Sequence, residues 1–112
     1  MDRLPVEHVV SVRIDDGEFK YAKHMECFCV YPGDTIKWVL RNKFPYFVII
    51  KTLVSPFDLS CKITGAGEEI KAKVPRGAAP GIYAYAIGTH DGEKLLIDDP
   101  EIIIKPPKGG RD

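Results

Sequence analysis

The sequence predicts an all-β protein, a sandwich of seven to eight short strands. Three observations carry that expectation. Apolar residues recur with a period of two along most of the chain, which sends successive side chains to opposite faces of a sheet. No stretch keeps an apolar stripe at helical spacing for three turns. The alternating runs are cut at short intervals by Gly, Pro and Asp, the residues that tolerate or impose turn geometry.

Taken in order, His8, Val10, Val12 and Ile14 face one way and Val9, Ser11 and Arg13 the other, until Asp15-Asp16-Gly17 makes a turn. Met25, Cys27 and Cys29 alternate with Glu26, Phe28 and Val30. The cysteines are assigned to the inward face, because Cys packs as a small apolar residue. Pro32-Gly33-Asp34 turns the chain into Ile36, Trp38 and Leu40, which point inward against Lys37, Val39 and Arg41. Phe47 to Ile50 is apolar throughout and reads as a more fully buried strand. Cys61 and Ile63 form a further short strand, with Cys61 in the core. Only Leu53 to Ser60 has room for a helical turn, and Pro56 limits it. Ile70, Ala72 and Val74 alternate with Lys71 and Lys73, and Ile82 to Ile87 and Glu101 to Lys105 complete the set. These elements make one domain over residues 1–112, with a frayed tail from about residue 106.

Composition narrows the function classes. A chain of 112 residues buries roughly two-thirds of its unfolded surface, enough for one core without staples. Lys plus Arg and Asp plus Glu number 16 each, so the chain is neutral and lacks the basic footprint of a nucleic-acid binder. No apolar run approaches the ~20 residues that span a bilayer. The opening Met1-Asp2-Arg3-Leu4-Pro5 lacks the charged-then-apolar pattern of a secretory signal. The expectation is therefore a soluble, cytoplasmic protein, or an exported one if a signal has been trimmed away. No Gly-rich phosphate loop, His-Glu-x-x-His motif or Gly-x-Ser-x-Gly elbow occurs, and Asp15-Asp16 and Asp98-Asp99 sit at turns, where Asp is favoured for geometry. The chain reads as a non-enzyme.

Four segments resemble the cupredoxins, the blue-copper family of plastocyanin and azurin. Pro32-Gly33-Asp34-Thr35-Ile36-Lys37-Trp38 is similar to the family's lead into a core strand, and Asn42-Lys43-Phe44-Pro45-Tyr46 to the segment that carries its first copper histidine. Val74-Pro75 with Pro80-Gly81-Ile82-Tyr83-Ala84-Tyr85 resembles the approach to the copper-cysteine strand, and Ile102-Ile103-Ile104 the closing strand. The resemblance covers roughly residues 28–105 and implies a cupredoxin-like Greek-key β-sandwich.

It also implies where copper ligands would stand. Blue copper takes two imidazoles and a thiolate in a plane with a weak axial thioether. The first His position holds Tyr46, the Cys position Ile87 and the Met position Leu95, while His90 falls where the second His belongs. One of four ligand types is kept, so the resemblance implies a member without a type-1 copper site and with no cofactor. If the alignment holds, changing Tyr46 to His, Ile87 to Cys and Leu95 to Met should rebuild a blue site around His90. Two readings of this end remain. Tyr46 and His90 fill and cap the space of the metal, or Phe44, Pro45, Tyr46, Ile87 and Leu95, rimmed by His90 and Asp91, form a docking face for a protein partner.

A second cluster, His24, Met25, Cys27 and Cys29, has the ligand chemistry of Cu(I) or Zn. Cys27 and Cys29 lie two apart on a strand, about 6.6 Å between Cα atoms. A disulfide wants its Cβ atoms about 3.8 Å apart, so reduced thiols are expected. The function expected is a non-catalytic binding or interaction module. The alternative is soft-metal binding or trafficking through Met25, Cys27 and Cys29.

Overall fold

The structure, a computed structural model, describes residues 4–107. It is all-β, with ten strands in two sheets among the described residues. The strands are β1 (Glu7–Asp15), β2 (Glu18–Tyr21), β3 (Cys27–Val30), β4 (Thr35–Leu40), β5 (Tyr46–Ile50), β6 (Cys61–Thr64), β7 (Glu69–Lys73), β8 (Gly81–His90), β9 (Leu95–Asp98) and β10 (Glu101–Ile104). The smaller sheet runs β2-β1-β4-β7, and the larger runs β3-β10-β8-β5-β6 with β9 beside β8. Two pairings are parallel, β1 with β4 and β3 with β10, and the rest are antiparallel.

The expected alternation holds in the smaller sheet. Val10, Val12, Ile36, Trp38, Leu40, Ile70, Ala72 and Val74 are all buried. Their strand neighbours point to water, where Lys37 lies between Glu7 at 3.8 Å and Glu69 at 3.5 Å. The inner face of the larger sheet supplies Phe28, Val30, Tyr46, Val48, Ile50, Tyr85, Ile87, Ile102 and Ile104 to the same core.

Three hydroxyl bonds cross between the layers. Trp38 Nε1 donates to Tyr85 Oη at 3.0 Å, Tyr46 Oη to the Trp38 carbonyl at 3.0 Å, and Tyr21 Oη to Asp98 Oδ2 at 2.6 Å. Each puts a polar tip of a large ring where a buried donor or acceptor would otherwise lack a partner, which would cost about 1–3 kcal/mol. Trp38 and Tyr85 also meet edge to face at 5.4 Å between centroids.

Several expectations need correction. The described residues hold two more strands than the upper expectation of eight: β2 and β9 are not among the strands expected from the sequence. β8 runs past Ile87 to His90. Leu53 to Ser60 contains no helical turn; among the described residues the one short 3-10 turn is Ala22–His24. Phe47 to Ile50 is not buried throughout, for Ile49 is 38% exposed and Phe47 half-buried. Cys27, Cys29 and Cys61 are all exposed rather than in the core. On β3 the burial alternates with Phe28 and Val30 inward. A period of two defines two faces without saying which is inner, and Phe plus Val remove far more apolar area from water than two thiols do. Of the tail expected to fray, Pro106 and Pro107 follow β10 exposed and outside any strand, and residues 108–112 lie outside the described residues.

Candidate functional site

The segment before β5 is held from both sides. The Asn42 amide donates to the Ile14 carbonyl at 3.0 Å, and Thr89 Oγ1 donates to the Pro45 carbonyl at 2.7 Å. The register of β5 on β8 sets Tyr46 opposite Thr89 and Val48 opposite Ile87. Tyr46, Thr89 and Ile87 consequently turn inward and are 1%, 2% and 0% exposed. The single hydroxyl hydrogen of Tyr46 lies within reach of two carbonyls, Trp38 at 3.0 Å and Glu68 at 2.7 Å. Burial pushes its phenol up to about 12.

His90 and Leu95 take the opposite direction. They face each other across the β8–β9 hairpin, on the outer side of the sheet, and both are exposed. In the turn between them, Asp91 Oδ1 accepts the Glu93 and Lys94 amides at 2.9 and 3.0 Å, bonds that hold its carboxyl below the usual range. The Gly92 amide donates to His90 Nδ1 at 3.1 Å. The structure thus brings Tyr46 and Ile87 together in the core and sets His90 and Leu95 apart from them. Four positions expected to share one end divide between two sides of a sheet. Buried Tyr46 and Ile87 offer nothing to a docking partner; Phe44 is half-buried, and Pro45, His90 and Leu95 are accessible.

The thiol cluster divides in a similar way. Cys27 and Cys29 stand on the outer face of β3, an edge strand, opposite Glu101 and Ile103. Met25 packs against the core, and His24, the last residue of the 3-10 turn, lies 3.9 Å from Glu26. Among the described residues no three His, Cys, Asp or Glu side chains gather as a metal site. A cleft of about 400 Å³ on the smaller sheet is lined by Ser11, Arg13, Lys20, Tyr21 and Arg41 among others. Lys20 there already pairs with Glu18 at 3.0 Å.

Sequence reasoning missed the outer face of the larger sheet. Registers place Ile97, Gly88, Phe47 and Ile63 in one row across β9, β8, β5 and β6. Ala86, Ile49 and Cys61 make the next row, and Cys29, Ile103 and Ile82 a row at the far end. Ile63, Ile82, Leu95 and Ile97 are 73%, 66%, 57% and 51% exposed. The Phe47 ring lies across Gly88 so closely that a Cβ there would collide with it. The signal was present in the sequence: Phe47 to Ile50, Leu95 to Ile97 and Ile102 to Ile104 are apolar at inward and outward positions alike.

No protein family and no curated protein matches the sequence. Solved structures do match. A copper-containing nitrite reductase (NirK) from Thermus scotoductus SA-01 superposes with a TM-score of 0.57 at 17% identity, over 96% of this chain and 24% of that one. A reduced amicyanin variant superposes at 0.53 with 14% identity, over 87% of this chain and 82% of that one. An oxidised amicyanin variant gives 0.52 at 16% identity, over 86% and 81%. The fold is that of the cupredoxins. At these identities the likeness shows the fold and nothing of the chemistry. This cupredoxin-like chain spans about a quarter of the nitrite reductase chain (24%). No helix among its described residues is long and apolar enough to cross a membrane.

Proposed function

We propose that this cupredoxin-like protein is a non-catalytic interaction module without a type-1 copper centre. The observation that carries the reading is the direction of the four ligand positions. An alkyl group at Ile87 has no lone pair for a metal, and Tyr46 is turned inward and hydrogen-bonded to carbonyls. The imidazole of His90 is exposed on the outer side of β8. A trigonal two-imidazole, one-thiolate site has neither its donors nor its convergence here. What the fold offers instead is an apolar sheet face into which Leu95 and His90 lead. Exposed contiguous apolar surface of this kind marks interaction sites.

A second reading rests on one observation. Cys27 and Cys29 are both exposed on the same side of an edge strand, so a soft ion such as Cu(I) meets two accessible thiols. Met25 and His24 do not complete that set. One titration tests both readings. Cu(II) added to the reduced protein should give no intense visible band, and an intense thiolate-to-copper band would overturn the main reading. In the anaerobic Cu(I) arm, tight stoichiometric binding that Cys27→Ser with Cys29→Ser abolishes would put metal handling first.

A further inference from the structure

We propose that the outer face of the larger sheet is the interface of a homodimer, with a second copy of this chain as its occupant. The proposal deepens the interaction-module reading and rests on it.

The two outer faces of the sandwich differ in kind. On the smaller sheet, outward positions are Glu7, Arg13, Lys37, Glu69, Lys71 and Lys73 among others, the composition of a face that stays in water. On the larger sheet β5 is apolar on both sides, and β9 and β10 are apolar on both sides but for Asp98 and Glu101. Such strands belong to sheets covered on both faces, yet the described residues cover only the inner one. The missing cover must be apolar, flat and of similar extent.

Size and charge favour a second copy. Beside the ten-residue β8, ~33 Å long, β10 and β3 flank one end and β9, β5 and β6 the other, so three to four strands about 4.8 Å apart make a footprint of roughly 500 Å². Two copies would bury about 1,000 Å² in all, the lower bound of a specific interface, before the rim is added. Beside it Lys51 Nζ pairs with Asp99 Oδ1 at 2.7 Å, and Glu101 stands on the face between Cys27 and Ala84. The whole chain carries no net charge, so two copies meet without like-charge repulsion. Two such faces would stack about 10 Å apart, as sheets do in a sandwich. Phe47, held down on Gly88, would sit near the centre, where a rigid aromatic contributes most.

The test is sedimentation equilibrium of the reduced full chain from about 1 to about 200 µM, a range that brackets micromolar association. Twice the chain mass is expected for the wild type and for Val9→Lys, a control on the smaller sheet. Ile63→Lys with Ile97→Lys, one on each side of Phe47 in its row, should weaken association at least ~100-fold, since both place a charge within the buried face. A wild type that stays monomeric throughout, or a dimer indifferent to the two lysines, would overturn the proposal. If the double variant does not fold, Cys61 reports on the wild type, because it lies in register beside Ile49 on this face. Its alkylation should slow as protein concentration rises, and a constant rate would equally sink the idea. A monomer removes self-docking only, whereas an intense copper band removes the reading beneath it.

Discussion

Asp34 is the residue on which the most backbone depends. Its carboxylate is fully buried, and it accepts the amides of Val6 and Tyr31 at 3.0 Å each and the His8 Nε2 hydrogen at 2.8 Å. The Pro32-Gly33-Asp34 turn places it there, with Gly33 at a φ of 96° that other side chains rarely adopt. The carboxylate therefore ties the start of β1 to the turn between β3 and β4. Asp34→Ala should cost about 3 kcal/mol, since it strips a buried carboxylate from an imidazole and two amides. Urea denaturation checks this, and a loss below about 0.5 kcal/mol, the level of an ordinary surface change, would contradict it. Asp34 was read from the sequence as a turn residue, which it is. Its burial and its histidine, 26 positions away, come from the parallel pairing of β1 with β4.

At the scale of elements, the β8–β9 hairpin decides where positions 87, 90 and 95 point. In this chain β8 keeps its pleat through Thr89 and His90, and β9 pairs with it from Leu95, so positions 87 and 90 fall on opposite faces. Replacing residue types without moving this backbone cannot bring four ligands to one point. The variant Tyr46→His, Ile87→Cys, Leu95→Met should therefore remain without the intense blue band when Cu(II) is added, contrary to the expectation from alignment alone. A blue, folded triple variant would show that the hairpin opens on binding. The order and spacing of the cupredoxin-like segments were legible because turns and core strands have strong local signatures. The hairpin was not, because Leu95-Leu96-Ile97 shows no alternation that would mark it as a strand.

Across the whole molecule, three phenols join the two sheets, and all three are held protonated. Burial, the largest cause in each case, raises Tyr21, Tyr46 and Tyr85 above the ordinary value of 10.0, Tyr46 to about 12. A raised phenol contributes stability that is complete below the unfolded pKa and is lost as pH rises through the folded one. The sandwich should thus hold its stability up to pH 10.0 and lose it as the pH climbs towards about 12 and beyond. Tyrosinate absorbance followed beside far-ultraviolet circular dichroism checks this: three of the five tyrosines should ionise only as the sheets separate. Simple titration of all five near the ordinary value, with the fold intact, would contradict the inter-sheet role.

What the sequence by itself determined is the class of structure and most of its strands, because these follow from periodicity and turn chemistry. Which face of a strand is inner was decided only in three dimensions. Cys27 and Cys29 against Phe28 and Val30 is one such choice, settled by apolar area once β10 had paired with β3. The outward direction of His90 is another, set by hairpin register. The open apolar face is the third: local sequence marks Ile49 and Ile97 as residues to bury, and only the packing of two sheets leaves one side of the larger uncovered.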